Sequence, residues 1–424
     1  MITELLQQVR VIDPVAGTDA IADVLISKQE GINSHPQIVS VAATITDIPQ
    51  DAVIHDCRGL LLGTGLVDLY SHSGEPGFEE RETLTSLLQA ATAGGFTRIC
   101  ILPDTSPIID HPGVVTQLLQ ATASATPSIY LWGSLTLNAA GKQMTEFADL
   151  LNAGVVGFAE SQPWENLGTV RRILEYLQPL GKPVLLWCCD RQLAGNGVMR
   201  EGTDSIRFGL PGNPTAAETS AVAALIELVA TTGTPVHIMR VSTARSVELI
   251  AAAKSQGIPV TASTTWMHLL LDTSALQSYH PSLHLEPPLG NPQDRIALRR
   301  AVKTGIIEAI AIDHAPYTYE EKTVAFAESP PGAIGLELAL PLLWSNLVAT
   351  GEFTALELWQ AMSSRPGECL QQKIPAIIPG NKAELTLFDP HKSWQVAGKY
   401  LHTLSRNTPW LGENLTGKVL QTWN

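Results

Sequence analysis

The chain has 424 residues, 45% of them hydrophobic and 16% charged, a balance typical of a folded protein with a sizeable core. Its net charge of −14 at pH 7 argues against nucleic-acid and membrane partners, because both attract concentrated positive charge and the sequence has no basic cluster. The absence of a long apolar run excludes a membrane span, and the odd number of cysteines, five, argues against a disulfide framework. These features together predict a cytoplasmic protein with reduced thiols.

The first 60 residues contain short β-branched runs separated by turn-forming residues, for example Val9–Ile12, Ala22–Ile26 and Gln37–Val41. A similar pattern returns after residue 370, at Ala383–Phe388. We therefore expect residues 1–60 and 371–424 to form one small β domain from both ends of the chain.

Between residues 61 and 370, apolar strand-like segments alternate with stretches whose apolar residues recur every three or four positions. This alternation indicates repeated strand–helix units, and eight of them match the size of a (β/α)8 barrel of the α/β class. The predicted strands begin near residue 65 and continue at Thr97–Leu102, Ile129–Trp132, Val155–Phe158, Pro183–Trp187, Val236–Val241, Ile258–Ala262 and Ile310–Asp313.

In such barrels the chemistry lies at the carboxyl ends of the strands, so the polar residues that follow the first strand are the first site candidates. Because side chains alternate along a strand, Asp68, Tyr70 and His72 should share one face. The segment Gly65–Gly77 resembles the dihydroorotase motif Gly-Leu-Ile-Asp-x-His-x-His-x-Arg-Glu-Pro-Gly of the amidohydrolase superfamily, class I type. Relative to that motif, Tyr70 replaces a metal-binding histidine and Gly74 replaces the arginine that holds the substrate carboxylate.

Six later segments are similar to family motifs. In each segment, at least one residue differs from the substrate-binding or metal-binding residue of the family motif. The resemblance implies that these positions once contacted substrate or metal. Among the substrate positions, Asp104 and Glu286 replace asparagines and Tyr317 replaces a histidine. Among the metal positions, Trp187 and Arg240 replace ligand histidines, Glu160 lies beside the place of a metal-bridging aspartate, and Asp313, in the same motif as Tyr317, is kept.

A zinc hydrolase of this kind needs about four to six imidazole or carboxylate ligands to hold its metals and activate a water molecule. Of the six family ligand positions, only His72 and Asp313 keep ligand chemistry, and Asp313 is also the family's general base. Arg240 would repel a metal dication, because a guanidinium is permanently protonated. We therefore expect a degenerate site without a cofactor; zinc would be present only if the site is active after all.

Two hypotheses describe what the retained residues do instead. His72 is either a residual metal ligand or a core histidine hydrogen-bonded to a carboxylate. Arg240 replaces the lost metal charge by pairing with Asp313 or Glu160, so that a buried carboxylate is not left unpaired. Tyr70 and Trp187 would fill the volume once occupied by ligands and metals.

The resemblance implies a protein of de novo pyrimidine biosynthesis, and three functions remain open. The first is a non-catalytic homologue that self-associates and assembles with aspartate transcarbamoylase as a structural or regulatory partner, as the family precedent implies. The second is an active zinc dihydroorotase that interconverts carbamoyl aspartate and dihydroorotate with a remodelled site. The third is a related amidohydrolase that acts on another cyclic amide, such as a hydantoin or allantoin.

Overall fold

The computed structural model describes residues 2–28, 35–123 and 125–424. Its strands, in chain order, are β1 (Ile2–Asp13), β2 (Thr18–Lys28), β3 (Gln37–Ala42), β4 (Val53–Asp56), β5 (Leu61–Thr64), β6 (Leu66–Ser71), β7 (Phe96–Ile101), β8 (Ser128–Ser134), β9 (Gly157–Ala159), β10 (Val184–Trp187), β11 (Met199–Arg200), β12 (Gly212–Asn213), β13 (Val236–Met239), β14 (Val260–Thr265), β15 (Ala309–Ala311), β16 (Leu385–Gln395) and β17 (Asn414–Trp423).

Both ends of the chain contribute to one sheet. Its strand order is β17-β16-β5-β1-β2-β3, and β4 pairs with β1. Strand β16 runs antiparallel to both β5 and β17, so the carboxyl-terminal strands complete a sheet that the first 64 residues begin. Apolar side chains from both ends pack together on it, among them Val9, Val24, Leu62 and Leu385.

A second sheet of eight parallel strands forms the barrel. The strands follow the order β15-β14-β13-β10-β9-β8-β7-β6. The seam between β15 and β6 is joined just beyond the end of β15, where Asp313 N donates to Tyr70 O at 3.1 Å and His72 N donates to His314 O at 2.8 Å. The predicted (β/α)8 class is therefore confirmed.

Helices separate the barrel strands, and several of them pack against these strands. They are α1 (Leu84–Ala93), α2 (Pro112–Ala121), α3 (Phe147–Ala153), α4 (Leu167–Leu177), α5 (Arg191–Ala194), α6 (Thr203–Phe208), α7 (Thr215–Thr232), α8 (Ala244–Ser255), α9 (Trp266–Leu270), α10 (Pro292–Thr304), α11 (Tyr319–Lys322), α12 (Ala339–Leu343), α13 (Ala355–Trp359) and α14 (Arg365–Cys369). Of the helices within the described ranges, none combines the length and apolar character needed to cross a membrane.

The barrel interior is filled with side chains, as is usual for this architecture. Tyr70, Trp132 and Trp187 are among its largest members. Trp132 Nε1 donates to Leu69 O at 2.9 Å, whereas the buried Nε1 atom of Trp187 has no hydrogen-bond partner among the described residues. A cavity lies above this packed interior, at the strand ends.

Candidate active-site cavity

The carboxyl ends of the barrel strands surround a cavity of about 160 Å³. Eight predicted site residues line it: His72, Gly74, Asp104, Trp187, Arg240, Glu286, Asp313 and Tyr317. Tyr70 is fully buried and reaches the same place through its hydroxyl, which lies 3.1 Å from Arg240 N. Tyr70 and His72 thus converge as predicted, whereas the Asp68 carboxylate lies in the barrel seam and accepts from Ile312 N at 2.8 Å.

Arg240 occupies the centre of this cavity and forms a bidentate ion pair with Asp313. Its Nε and Nη2 atoms lie 2.8 and 2.6 Å from the two carboxylate oxygens. The side chains are only 5% and 14% exposed. Both residues have positive φ angles, 59° and 52°, an uncommon conformation for residues other than glycine. The backbone at two strand ends therefore turns so that these opposite charges meet.

His72 lies between two carboxylates and is 25% exposed. Its Nδ1 atom is 2.5 Å from Asp104 Oδ2, and its Nε2 atom is 3.4 Å from Asp313 Oδ1. Burial lowers the pKa of His72, but the negative charges of Asp104 and Asp313 outweigh that effect and raise it to about 9. A pKa in this range favours the protonated imidazole at neutral pH.

A close approach of Arg240 Nη2 to His72 Nε2, at 3.0 Å, taken alone fits a neutral imidazole that accepts a hydrogen bond. The charge balance favours the protonated form, because Asp104, Asp313 and Arg240 together carry one excess negative charge. An imidazolium makes the cluster neutral and directs its Nε2 proton toward Asp313. In the protonated form this approach brings two positively charged groups together, and the carboxylates of Asp104 and Asp313 offset their repulsion.

Asp313 is poorly suited to act as a general base in this environment. Burial raises its pKa, but Arg240 and His72 lower it further, to about 2. A carboxylate with so low a pKa holds a proton poorly at neutral pH, whereas an efficient base has a pKa near the working pH. The general-base position of the resembled family is thus occupied by a residue committed to ion pairs.

Two aromatic rings flank the guanidinium. The Arg240 Cζ atom lies 4.9 Å from the ring centre of Trp187 and 5.9 Å from that of Tyr70. The Tyr70 hydroxyl also lies 3.0 Å from Ser263 Oγ, and burial raises its pKa. Cation–π attraction and the filled volume stabilise the charge of Arg240 where the family's histidines would stand.

Glu160 is not the partner of Arg240. Its Oε1 atom accepts a hydrogen bond from Thr136 Oγ1 at 3.0 Å, and it lines a different cavity. The physical reason is side-chain alternation: Ala159 packs in the barrel interior, so the next residue points outward. Of the two partners considered from the sequence, only Asp313 is correct.

Arg81 is a cavity residue that the sequence analysis missed. Its guanidinium lies 2.5 Å from Glu321 and stacks over the rings of Phe78 and Tyr317, at 4.4 and 5.0 Å. The sequence does show a basic residue seven positions after Gly74. Its side-chain direction could not be predicted, because loop residues do not alternate with a regular period. Glu286 is also paired, with Arg191 at 3.1 Å, so its charge is partly offset.

Gly74 has no room for a side chain. A Cβ atom there would lie 2.6 Å from Phe78 O and 2.7 Å from Glu82 N, and closer still to Glu82 O. The arginine of the resembled motif therefore cannot be restored without moving this backbone.

We expect Gly74→Ala to lower the free energy of unfolding by about 1–3 kcal/mol, the usual cost of overpacking. Chemical denaturation of the variant and the wild-type chain measures the difference. The matched control is Gly113→Ala in α2, where the nearest atom to a new Cβ is 3.4 Å away and no loss is expected. Equal stability of Gly74→Ala and Gly113→Ala would contradict the steric argument.

The residues present do not fit a pair of zinc ions. Within residues 2–28, 35–123 and 125–424, no group of three or more His, Cys, Asp or Glu side chains is arranged to hold a metal. Both nitrogens of His72 and both oxygens of Asp313 already have close polar neighbours, and a guanidinium lies between them. Tyr70 and Trp187 supply no imidazole or carboxylate.

Known proteins resemble this chain over nearly its whole length. Residues 59–246 match the family model described as dihydro-orotase-like. A probable dihydroorotase-like protein of Synechocystis sp. is 42% identical, with 99% of both chains covered. The dihydroorotase of Pelotomaculum thermopropionicum is 37% identical, with 96% of this chain and 93% of that protein covered.

Solved structures agree with the barrel. The L-hydantoinase of Arthrobacter aurescens superposes with a TM-score of 0.85 at 20% identity, covering 99% of this chain and 95% of that one. The dihydropyrimidinase of Brevibacillus agri gives a TM-score of 0.80 at 21% identity, covering 99% and 94%. At these identities the likeness concerns the fold alone. The motifs at the strand ends and the full-length sequence relatives together show that this chain belongs to the dihydroorotase family of the amidohydrolase superfamily.

Proposed function

We propose that this protein is a non-catalytic dihydroorotase homologue that acts in the cytoplasm as a structural or regulatory partner of aspartate transcarbamoylase. The Arg240–Asp313 ion pair carries the proposal, because it places a permanent positive charge where a dinuclear hydrolase holds its metals. The proposal includes the two domains expected from the sequence, a barrel of residues 61–370 and a small β domain of residues 1–60 and 371–424, with the first boundary moved past β5, which pairs with β1 and β16 of the small domain. It also includes self-association.

The chemistry of hydrolysis supports this proposal. Ring opening of a cyclic amide needs a nucleophilic water, which metal coordination supplies by lowering the pKa of water from about 15.7 to about 7. Here the ligand positions hold Tyr70, Trp187 and Arg240, and the retained Asp313 has a pKa of about 2. Neither metal activation nor base catalysis is then available from the cavity residues described.

We expect the purified chain, expressed with added zinc and washed free of loose metal, to contain almost no zinc. The same preparation should neither hydrolyse dihydroorotate nor cyclise carbamoyl aspartate. Elemental analysis and a spectrophotometric assay measure the two quantities, and the dihydroorotase of Syntrophus aciditrophicus, 36% identical to this chain, serves as the positive control. Stoichiometric zinc with turnover would establish the alternative, an active zinc dihydroorotase or related cyclic amidohydrolase.

The partner role is tested separately. The purified chain is mixed with aspartate transcarbamoylase of the same organism and analysed by size-exclusion chromatography with light scattering. A common peak of fixed stoichiometry supports the assembly. Separate elution would refute the partner role. It would not bear on the absence of catalysis, which the zinc and activity measurements test.

A further inference from the structure

A second cavity, of about 250 Å³, lies outside the barrel wall. It is formed by the loops after β8 and β9 together with helix α4, and it shares the lining residue Gln162 with the first cavity. Its walls are mainly apolar, with contributions from Leu135, Val170, Ile173 and Leu186, which are buried, and from Trp164, which is partly buried. We call this cavity the Glu160 pocket.

The carboxylate of Glu160 is the polar feature of this pocket. The residue is 6% exposed. The Thr136 hydroxyl oxygen accepts a hydrogen bond from Gly141 N at 2.9 Å. The hydroxyl proton is therefore free to be donated to Glu160 Oε1, which lies 3.0 Å away. The other oxygen, Oε2, has no hydrogen-bond partner among the side chains and backbone that the structure describes.

An unpaired buried carboxylate oxygen is unusual and destabilising, since most buried polar atoms in native proteins have a partner. Burial raises the pKa of Glu160 to about 7, although the Thr136 hydroxyl and the backbone N–H groups of Thr136 and Leu135 partly offset the effect, and no positive charge compensates it. The other charged side chains that line the pocket are Glu165 and Arg191. Arg191 is engaged elsewhere, by Gln162 at 2.6 Å and Glu286 at 3.1 Å.

We propose that the Glu160 pocket binds a small organic amine, whose ammonium group donates to Glu160 Oε2 and whose apolar body packs among Trp164, Val170 and Ile173. An ammonium supplies both the missing hydrogen bond and the missing charge, and charge-assisted hydrogen bonds are about twice as strong as neutral ones. The volume fits one ring with a short arm, given that a cavity of about 150 Å³ binds benzene. This site is independent of the degenerate cavity and of the proposed function.

Benzylamine is the probe, titrated into the full chain and followed by isothermal calorimetry. We expect saturable binding that Glu160→Gln weakens by about tenfold or more, the size of a lost hydrogen bond between charged groups. The matched control is Glu165→Gln, which removes an exposed carboxylate from the same pocket and should change the affinity by no more than about twofold. Equal binding of benzylamine by wild type and Glu160→Gln would overturn the proposal.

Benzyl alcohol, which has the same shape and no charge, separates loss of the carboxylate from loss of the fold. Its affinity should fall less than that of benzylamine in Glu160→Gln, because the glutamine amide oxygen still accepts a hydrogen bond from its hydroxyl and no ion pair is lost. If Glu160→Gln does not fold, the two probes are compared on the wild-type chain, where benzylamine should bind about tenfold more tightly. Equal affinities would show that the pocket does not recognise the ammonium charge, and no binding of either probe would show that the pocket accepts neither molecule; each result would overturn the proposal.

Discussion

Replacing Arg240 by alanine should lower the free energy of unfolding by about 3–5 kcal/mol, the usual cost of removing one partner from a buried ion pair. Asp313 is 14% exposed in the wild type, and the variant leaves its carboxylate without the bidentate partner, beside the further negative charge of Asp104. It also removes the group that packs between the rings of Tyr70 and Trp187. Urea denaturation followed by tryptophan fluorescence measures the change.

Two further variants identify the source of that loss. Arg171→Ala removes an exposed pair with Glu175 on helix α4 and should cost less than about 1 kcal/mol. The double variant Arg240→Ala/Asp313→Ala removes both buried charges and should be less destabilised than the sum of its single variants. Melting of Arg240→Ala at the wild-type temperature would show that the ion pair does not stabilise the barrel.

Raising the pH from 6.5 through 9 should remove roughly 3 kcal/mol of stability through His72 alone. The pKa of this residue rises from 6.5 to about 9 on folding, because Asp104 and Asp313 outweigh the effect of burial. A raised folded-state pKa contributes stability that is complete below pH 6.5 and is lost as the pH passes 9. Unfolding free energies measured at intervals across this range give the slope.

Other buried groups titrate near neutral pH, including Glu160 and Lys322, each with a pKa of about 7, so the wild-type slope alone is not diagnostic. The difference between wild type and His72→Gln isolates the histidine. That difference should shrink by roughly 3 kcal/mol between pH 6.5 and 9.5. A constant difference would mean that His72 is neutral and that Arg240 Nη2 donates to its Nε2.

The barrel could be predicted because its signal repeats. Each of the eight strands places a β-branched or apolar run between helical stretches, and every predicted strand overlaps an observed one. The convergence of Arg240 and Asp313 could also be anticipated, because strand ends of a barrel meet around one cavity and opposite charges there attract.

The remaining features depend on the direction and surroundings of single side chains, which the pattern of apolar and polar residues does not predict. The outward direction of Glu160 follows from the position at which β9 ends, and a shift of one residue would reverse it. Arg81 enters the cavity from a loop, where side-chain direction has no period. The crowding around Gly74 comes from backbone atoms of the following turn and becomes visible only in three dimensions.

The aromatic-flanked guanidinium has a consequence for how this barrel depends on its surroundings. A bound metal stabilises a protein only in proportion to its free concentration relative to the dissociation constant. Arg240 supplies its positive charge through a covalent side chain that cannot dissociate. Under the proposed function, the integrity of this scaffold is therefore fixed when the chain is synthesised and does not follow the supply of zinc.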